Sequence, residues 1–181
     1  MNHSDTPNEV MLDLPSAAPR EEVFSLVEAF LVKNGFSIVD KDVNRPWGGF
    51  FVIDEEQARR FSHFFFPKME VVLSQMVGKI SPKILMVEPG KRLSWQYHFR
   101  RAEIWKLVAG KAGVVRSATD LQGRVESLEL GKVVELPKGL RHRLVGLEDS
   151  WGMIAEIWQH TDPDHPSNED DIVRLQDDFG R

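Results

Sequence analysis

Between Lys79 and Gln159 the chain is cut into eight short apolar segments, KILMVEP, RLSWQYHF, AEIWKLVAG, KAGVVRSA, RVESLEL, KVVELP, HRLVGL and MIAEIW, with Gly, Pro, Asp or Asn near most junctions. Many short strands separated by regular turn signals predict an all-β sandwich or barrel. The 181 residues suffice for one domain with a sizeable core.

The residues before this region have a different texture. Residues 1–18 are polar and Pro-containing and are expected to form a flexible arm. From Pro19 onward Val23, Phe24, Val27, Phe30 and Leu31 recur at helical intervals up to Asn34-Gly35, which predicts a helix with Pro near its start and a Gly stop. FSIVD and GFFVID read as strands separated by the turn-rich DVNRPWG. Asp54 and Gln57 resemble a capping box opening a second helix that Pro67 stops, with Phe61, Phe64 and Phe65 in the core. The expected organisation is an arm at 1–18, helices and strands at 19–78 packed on the barrel, and a barrel at 79–181 with a C-terminal closing segment, all in one structural domain.

Composition removes several classes of function. With no cysteine, disulfides, thiolate zinc sites and Cys nucleophiles are excluded, so any metal must be held by His, carboxylate or amide. A net charge of -5 gives no electrostatic footprint for nucleic acid. No apolar run is long enough to span a bilayer and the N-terminus lacks a signal pattern, so no membrane partner and a cytoplasmic location are expected.

Within RLSWQYHF, residues two apart share a strand face, so Ser94, Gln96 and His98 point together. Glu103 follows a turn through Phe99–Ala102 and faces the same interior if that hairpin closes. His142 comes from a second stretch, GKVVELPKGLRHRL, just after a Pro-Lys-Gly turn. Two imidazoles, one carboxylate and one amide oxygen make a mixed N/O site for a divalent first-row metal: zinc first, with manganese, cobalt, nickel or iron as alternatives. His3, His63, His160 and His165 have no such context and are expected to be surface or incidental. Alternation places Lys83 facing inward as a phosphate holder or outward as a snorkelling lysine. Glu156 shares a strand face with Ile154 and Trp158, where apolar neighbours would raise its pKa and let it move a proton. A strand-edge salt bridge is the alternative for Glu156.

Two spacings then become informative. Gly90, five residues, Gln96-x-His98, four residues, Glu103, six residues and Gly110 match the first cupin motif, with Gln96 replacing the first His. Gly131, five residues, Pro137-x-Gly139, two residues and His142 match the second, with Gly146 at its usual closing Asn. PWGGF, LSWQYHFRRAEIW, LPKGLRHRL and EDDIVRLQDDFGR resemble the type II mannose-6-phosphate isomerase cupin, which in many proteins follows a guanylyltransferase domain. The likeness spans roughly residues 45–181, with 55–78 resembling an insertion. It departs from the family at Tyr97-His98-Phe99-Arg100 and at Ile104, where the family carries additional His.

The resemblance implies a double-stranded β-helix, a jelly-roll-like barrel, to which the N-terminal helices read from the residues above are additions. It also implies a metal-dependent aldose–ketose isomerase working through a cis-enediol on a small-molecule sugar phosphate. Gln96, His98, Glu103 and His142 would hold the metal, Arg174 would bind or polarise the sugar phosphate, and Glu156 or Lys83 would serve as acid, base or binding group. Arg100 and Arg101 are secondary phosphate candidates, and Arg181 matches the family's closing Arg. The Gly-rich nucleotide loop is not among these residues, so no guanylyltransferase activity is expected. A homodimer is expected because closed homo-oligomers are common. The alternatives are a non-catalytic metal cupin that binds a sugar or sugar nucleotide, and an Fe(II) oxygenase.

Overall fold

The computed structural model describes residues 12–69, 73, 78–147 and 149–181. Helix α1 (Arg20–Lys33) leads into strands β1 (Ile38–Arg45) and β2 (Gly48–Ile53), followed by a 3-10 turn and helix α2 (Ala58–Phe65). The barrel strands are β3 (Ile80–Val87), β4 (Trp95–Tyr97), β5 (Arg101–Gly110), β6 (Ala112–Ser117), β7 (Glu126–Ser127), β8 (Val133–Leu136), β9 (Arg141–Gly146), β10 (Gly152–His160) and β11 (Val173–Gln176). They form two antiparallel sheets, one in the order β1-β2-β3-β10-β5-β8 and the other in the order β11-β4-β9-β6-β7. The all-β class and the cupin architecture are as expected.

The central strands β3 and β10 of the first sheet are buried on both faces, which is why they read as nearly continuous apolar runs rather than alternating ones. Leu85, Val87, Trp105, Leu107 and Ile154 pack against Val114 and Leu144 of the second sheet inside the barrel. The intervening residues Ile84, Met86, Ile104, Met153, Ala155 and Ile157 pack on the other side with Val23, Phe24, Val27 and Leu31 of α1 and Phe61 and Phe65 of α2. Each fully buried side chain of this size contributes about 1.5–3 kcal/mol. The helices therefore close one face of the first sheet and leave its other face for the cavity.

Local chemistry sets the helix ends. Gly35, at φ +79, lets Phe36 N–H reach Leu31 O and Gly35 N–H reach Val32 O, a Schellman stop for α1. Arg20, at the start of α1, donates to the carbonyls of Val43, Arg45 and Gly48 and pairs with Glu88, fastening the helix to the β1–β2 turn.

Three expectations are revised. Packing begins before residue 19: Leu14 lies in the core and Trp151 Nε1 donates to Ala18 O at 3.2 Å, while residues 1–11 lie outside the described residues. DVNR belongs to β1 rather than to a turn, because β1 is an edge strand whose outer positions tolerate Asp, Asn and Arg. Asp54 accepts from Glu56 N–H, but Gln57 does not reciprocate. Its side chain instead accepts from Ser37 N–H and donates to Gly35 O, holding the α1–β1 turn. No helix among the described residues is long and apolar enough to cross a membrane.

Candidate active site

Strand register assembles the site in rows. Across β3, β10 and β5 the opposed residues are Lys83, Glu156 and Trp105; the next row sets Trp158 opposite Glu103. Across β11, β4 and β9 the row is Arg174, Gln96 and His142. Directly opposed residues of antiparallel strands present side chains to the same face. All of these except His142 line one open cavity.

His98, Glu103 and His142 bring ligand atoms within 4.8 Å of one another, and each residue is 2% exposed. His98 Nδ1 lies 2.6 Å from Asp171 O, and His142 Nδ1 lies 2.9 Å from Leu140 O. A carbonyl only accepts, so in both rings Nδ1 carries the proton and Nε2 keeps its lone pair. Those lone pairs face the Glu103 carboxylate, at 3.1 Å from His98 and 3.4 Å from His142. Between neutral imidazole and carboxylate these contacts join two acceptors; His98 Nε2 accepts from Arg101 Nη2 at 3.2 Å, whereas His142 Nε2 has no hydrogen-bond partner. Buried acceptors converging in this way fit a divalent cation, with the carbonyls orienting each ring as outer-shell partners do.

Burial works against ionising Glu103. With the rings protonated at Nε2, the charge of His98, the Arg101 guanidinium and hydrogen bonds from His142 and His98 outweigh burial and hold the carboxyl well below its usual range; with the rings neutral, Arg101 is the charge that remains beside it. Arg101 Nε donates to Glu103 Oε1 at 2.8 Å, and the guanidinium stacks 3.7 Å from the Trp158 ring centroid. Gln96 is buried opposite His142, and its Oε1 accepts from Ser94 Oγ at 2.5 Å. Ser94, on the same strand face, thus orients the amide.

Glu156 is buried, with Oε1 accepting from Trp105 Nε1 at 3.0 Å and Oε2 from Trp158 Nε1 at 3.0 Å. Burial, then the charge of Glu103, raises its pKa to about 8, against the opposing pull of Lys83 and Arg101. Lys83 faces inward, its Nζ 4.5 Å from the Phe50 centroid and 4.4 Å from that of Trp158. Arg174 is exposed and stands at the cavity rim, and Arg181, held by Asp177, also lines the cavity.

Two readings of polar residues change. Arg100 does not line the cavity: its guanidinium donates to Pro166 O and Asn168 Oδ1, which removes it as a phosphate candidate. His160 is buried rather than incidental. Its Nδ1 accepts from Ser167 N–H at 2.9 Å, so Nε2 carries the proton and donates to Ser81, which donates in turn to Glu55. Burial, then the charge of Lys79, lowers its pKa. His63 and His165 are exposed, and His3 lies outside the described residues.

Sequence reasoning missed Asp171, which organises the ligand hairpin. Its carboxylate accepts from Phe99 N–H and Arg100 N–H at 3.0 Å each and from Ser167 Oγ at 2.6 Å. Burial raises the Asp171 pKa, but these hydrogen bonds outweigh it and leave the group below its ordinary value. The Asp-Asp pair before IVRL was the available signal, yet it reads equally well as a solvated tail. Gly146 explains one departure from the second motif: a Cβ there would lie 2.0 Å from Glu88 O, so any side chain would collide with backbone.

Residues 67–177 match the family model described as mannose-6-phosphate isomerase C-terminal. The chain is 30% identical over 162 residues to a mannose-1-phosphate guanylyltransferase of Salmonella montevideo, covering 89% of this chain and 28% of that protein. It is 30% identical to the xanthan biosynthesis protein XanB of Xanthomonas campestris, covering 78% of this chain and 24% of XanB. The chain thus spans about a quarter of the length of the curated relatives it matches. Among solved structures, an oxalate decarboxylase of Bacillus subtilis superposes with a TM-score of 0.51 at 19% identity, covering 75% of this chain and 30% of that one, a likeness of fold.

Proposed function

Because the chain belongs to the mannose-6-phosphate isomerase C-terminal family, we propose that it is a metal-dependent aldose–ketose isomerase acting on a sugar phosphate, with mannose 6-phosphate as the first substrate to try. The observation that carries this reading is the convergence of buried His98, Glu103 and His142, with Glu156 and Lys83 on an adjoining row of the same barrel interior.

His98, Glu103, His142 and Gln96 would hold a divalent first-row cation, zinc first, which when bound would polarise the sugar carbonyl. Glu156 is the proton-transfer group. A carboxyl titrating near 8 is a stronger base than an ordinary glutamate and is still partly ionised at neutral pH, as moving the C2 proton to C1 through a cis-enediol requires. Lys83 and Arg174 hold the phosphate and stabilise developing negative charge. Trp105 and Trp158 orient Glu156 and keep water from its carboxylate.

A non-catalytic metal cupin that binds a sugar is the second reading, favoured by Phe99, Arg100 and Ile104 where the family carries further His. Proton NMR of metal-loaded protein with a panel of sugar phosphates in deuterium oxide separates the two. Interconversion with deuterium entering at C1 or C2, lost in His98→Ala and Arg174→Ala, supports the isomerase. A panel left unchanged under several metals leaves the binding module.

A further inference from the structure

Glu169 lies between β10 and β11, and its Oε1 reaches Lys83 Nζ at 2.6 Å at the cavity wall. The surroundings of the two partners are unequal: the Lys83 side chain is 9% exposed and that of Glu169 68%. Lys83 is withdrawn from water against Phe50 and Trp158, where an ammonium without an anion would be poorly compensated. Glu169 can leave the contact and be hydrated at little cost, because it is already mostly in solvent. Lys83 therefore needs an anion, while Glu169 has only a weak need of Lys83.

The loop itself is fastened on both sides of Glu169. Ser167 N–H donates to His160 Nδ1, and the Asp171 carboxylate accepts from Phe99 and Arg100 N–H. Release of Lys83 thus requires rotation of one exposed side chain and no unfolding of the loop. A neighbouring cavity shares Lys83, Trp158 and Glu169, so a displaced carboxylate has room beside it.

The geometry points to Glu169 as a displaceable internal counter-ion, which occupies Lys83 until the phosphate of an incoming ligand replaces it and so sets the affinity of the site for anions. This rests on the reading of the cavity as a site for a phosphorylated sugar. Phosphate, with several strong acceptor oxygens, competes for the same donor, and each binding event is an exchange of one anion for another.

The test is calorimetric titration of inorganic phosphate into the full chain at constant low salt, comparing wild type, Glu169→Gln, Lys83→Met and the double variant. Lys83→Met keeps an unbranched stem against Phe50 and Trp158, and Glu169 is exposed, so both replacements preserve packing. The expected result is phosphate binding about fivefold tighter in Glu169→Gln, with the gain abolished when Lys83 is also Met. Unchanged or weaker binding in Glu169→Gln, or equal binding in Lys83→Met, would overturn the role and make Glu169 a fixed structural partner. Turnover is not needed for this readout. Tighter phosphate binding with no sugar isomerised would keep the counter-ion and sink the isomerase; isomerisation with unchanged phosphate affinity would do the reverse.

Discussion

Glu103 and Glu156 share a hydrogen-bond donor: Trp105 Nε1 lies 3.1 Å from Glu103 Oε2 and 3.0 Å from Glu156 Oε1. One N–H cannot fully serve two buried carboxylates, and two negative charges so placed raise each other's cost of ionisation. Arg101 tips the balance, since it binds Glu103 directly, and Glu156 is left as the member that keeps its proton.

Metal-free protein should lose stability as pH rises from the ordinary glutamate range towards 8. Glu156 has a folded pKa of about 8, above the 4.5 of an ordinary glutamate, so the folded state holds a proton that the unfolded chain has released. Its contribution is fully present below pH 4.5 and fades as pH climbs through about 8. Urea denaturation at pH 6 and pH 8 should show this decline in wild type and a flatter profile in Glu156→Gln; parallel profiles would remove Glu156 as their source.

Trp105→Phe removes the shared donor while keeping an aromatic ring in the barrel. A destabilisation of about 2–4 kcal/mol is expected, from the unsatisfied acceptors and the lost volume. Combined with Glu156→Gln the loss should be less than additive, because the two residues are hydrogen-bonded to each other. Equilibrium denaturation of the four-member cycle measures the coupling.

His142→Ala should weaken zinc binding by more than the roughly 10–100-fold that loss of an outer-shell partner costs, since the ligand itself is removed. The metal-free variant should lose less stability than an ordinary large-to-small core change, since the substitution removes an acceptor without a partner. Titration with a competing chelator gives the affinity, and melting with and without EDTA gives the stability. His165→Ala, at an exposed position, is the control and should match wild type.

Acidification should loosen the 161–171 loop through His160. Its folded pKa lies below the 6.5 of free histidine, so the fold favours the neutral ring, whose Nδ1 accepts from Ser167 N–H. That stabilisation is present above pH 6.5 and is lost as pH falls through the lowered folded value. Hydrogen exchange corrected for intrinsic rates should show reduced protection at the Ser167 amide between pH 7 and pH 5. Unaltered protection there would remove His160 as the latch.

Much of the site was legible because strand and turn chemistry is local. A period of two puts Gln96 and His98 on one face, and the two glycine-bounded spacings carry Glu103 and His142, so these four residues could be named before any strand was paired. Helix α1 was legible for the same reason, since Pro19 and Gly35 act on their immediate neighbours. The tertiary structure decided what meets across the barrel. Asp171 O orients His98 from 73 residues away, and Glu169 reaches Lys83 across 86. His160 turned from an incidental residue into a buried latch in the same way. Alternation tells which face a side chain occupies, but its partners depend on the register between distant strands and on where a loop returns. Those are set by packing two sheets and two helices around common apolar cores, a property of the whole chain rather than of any segment.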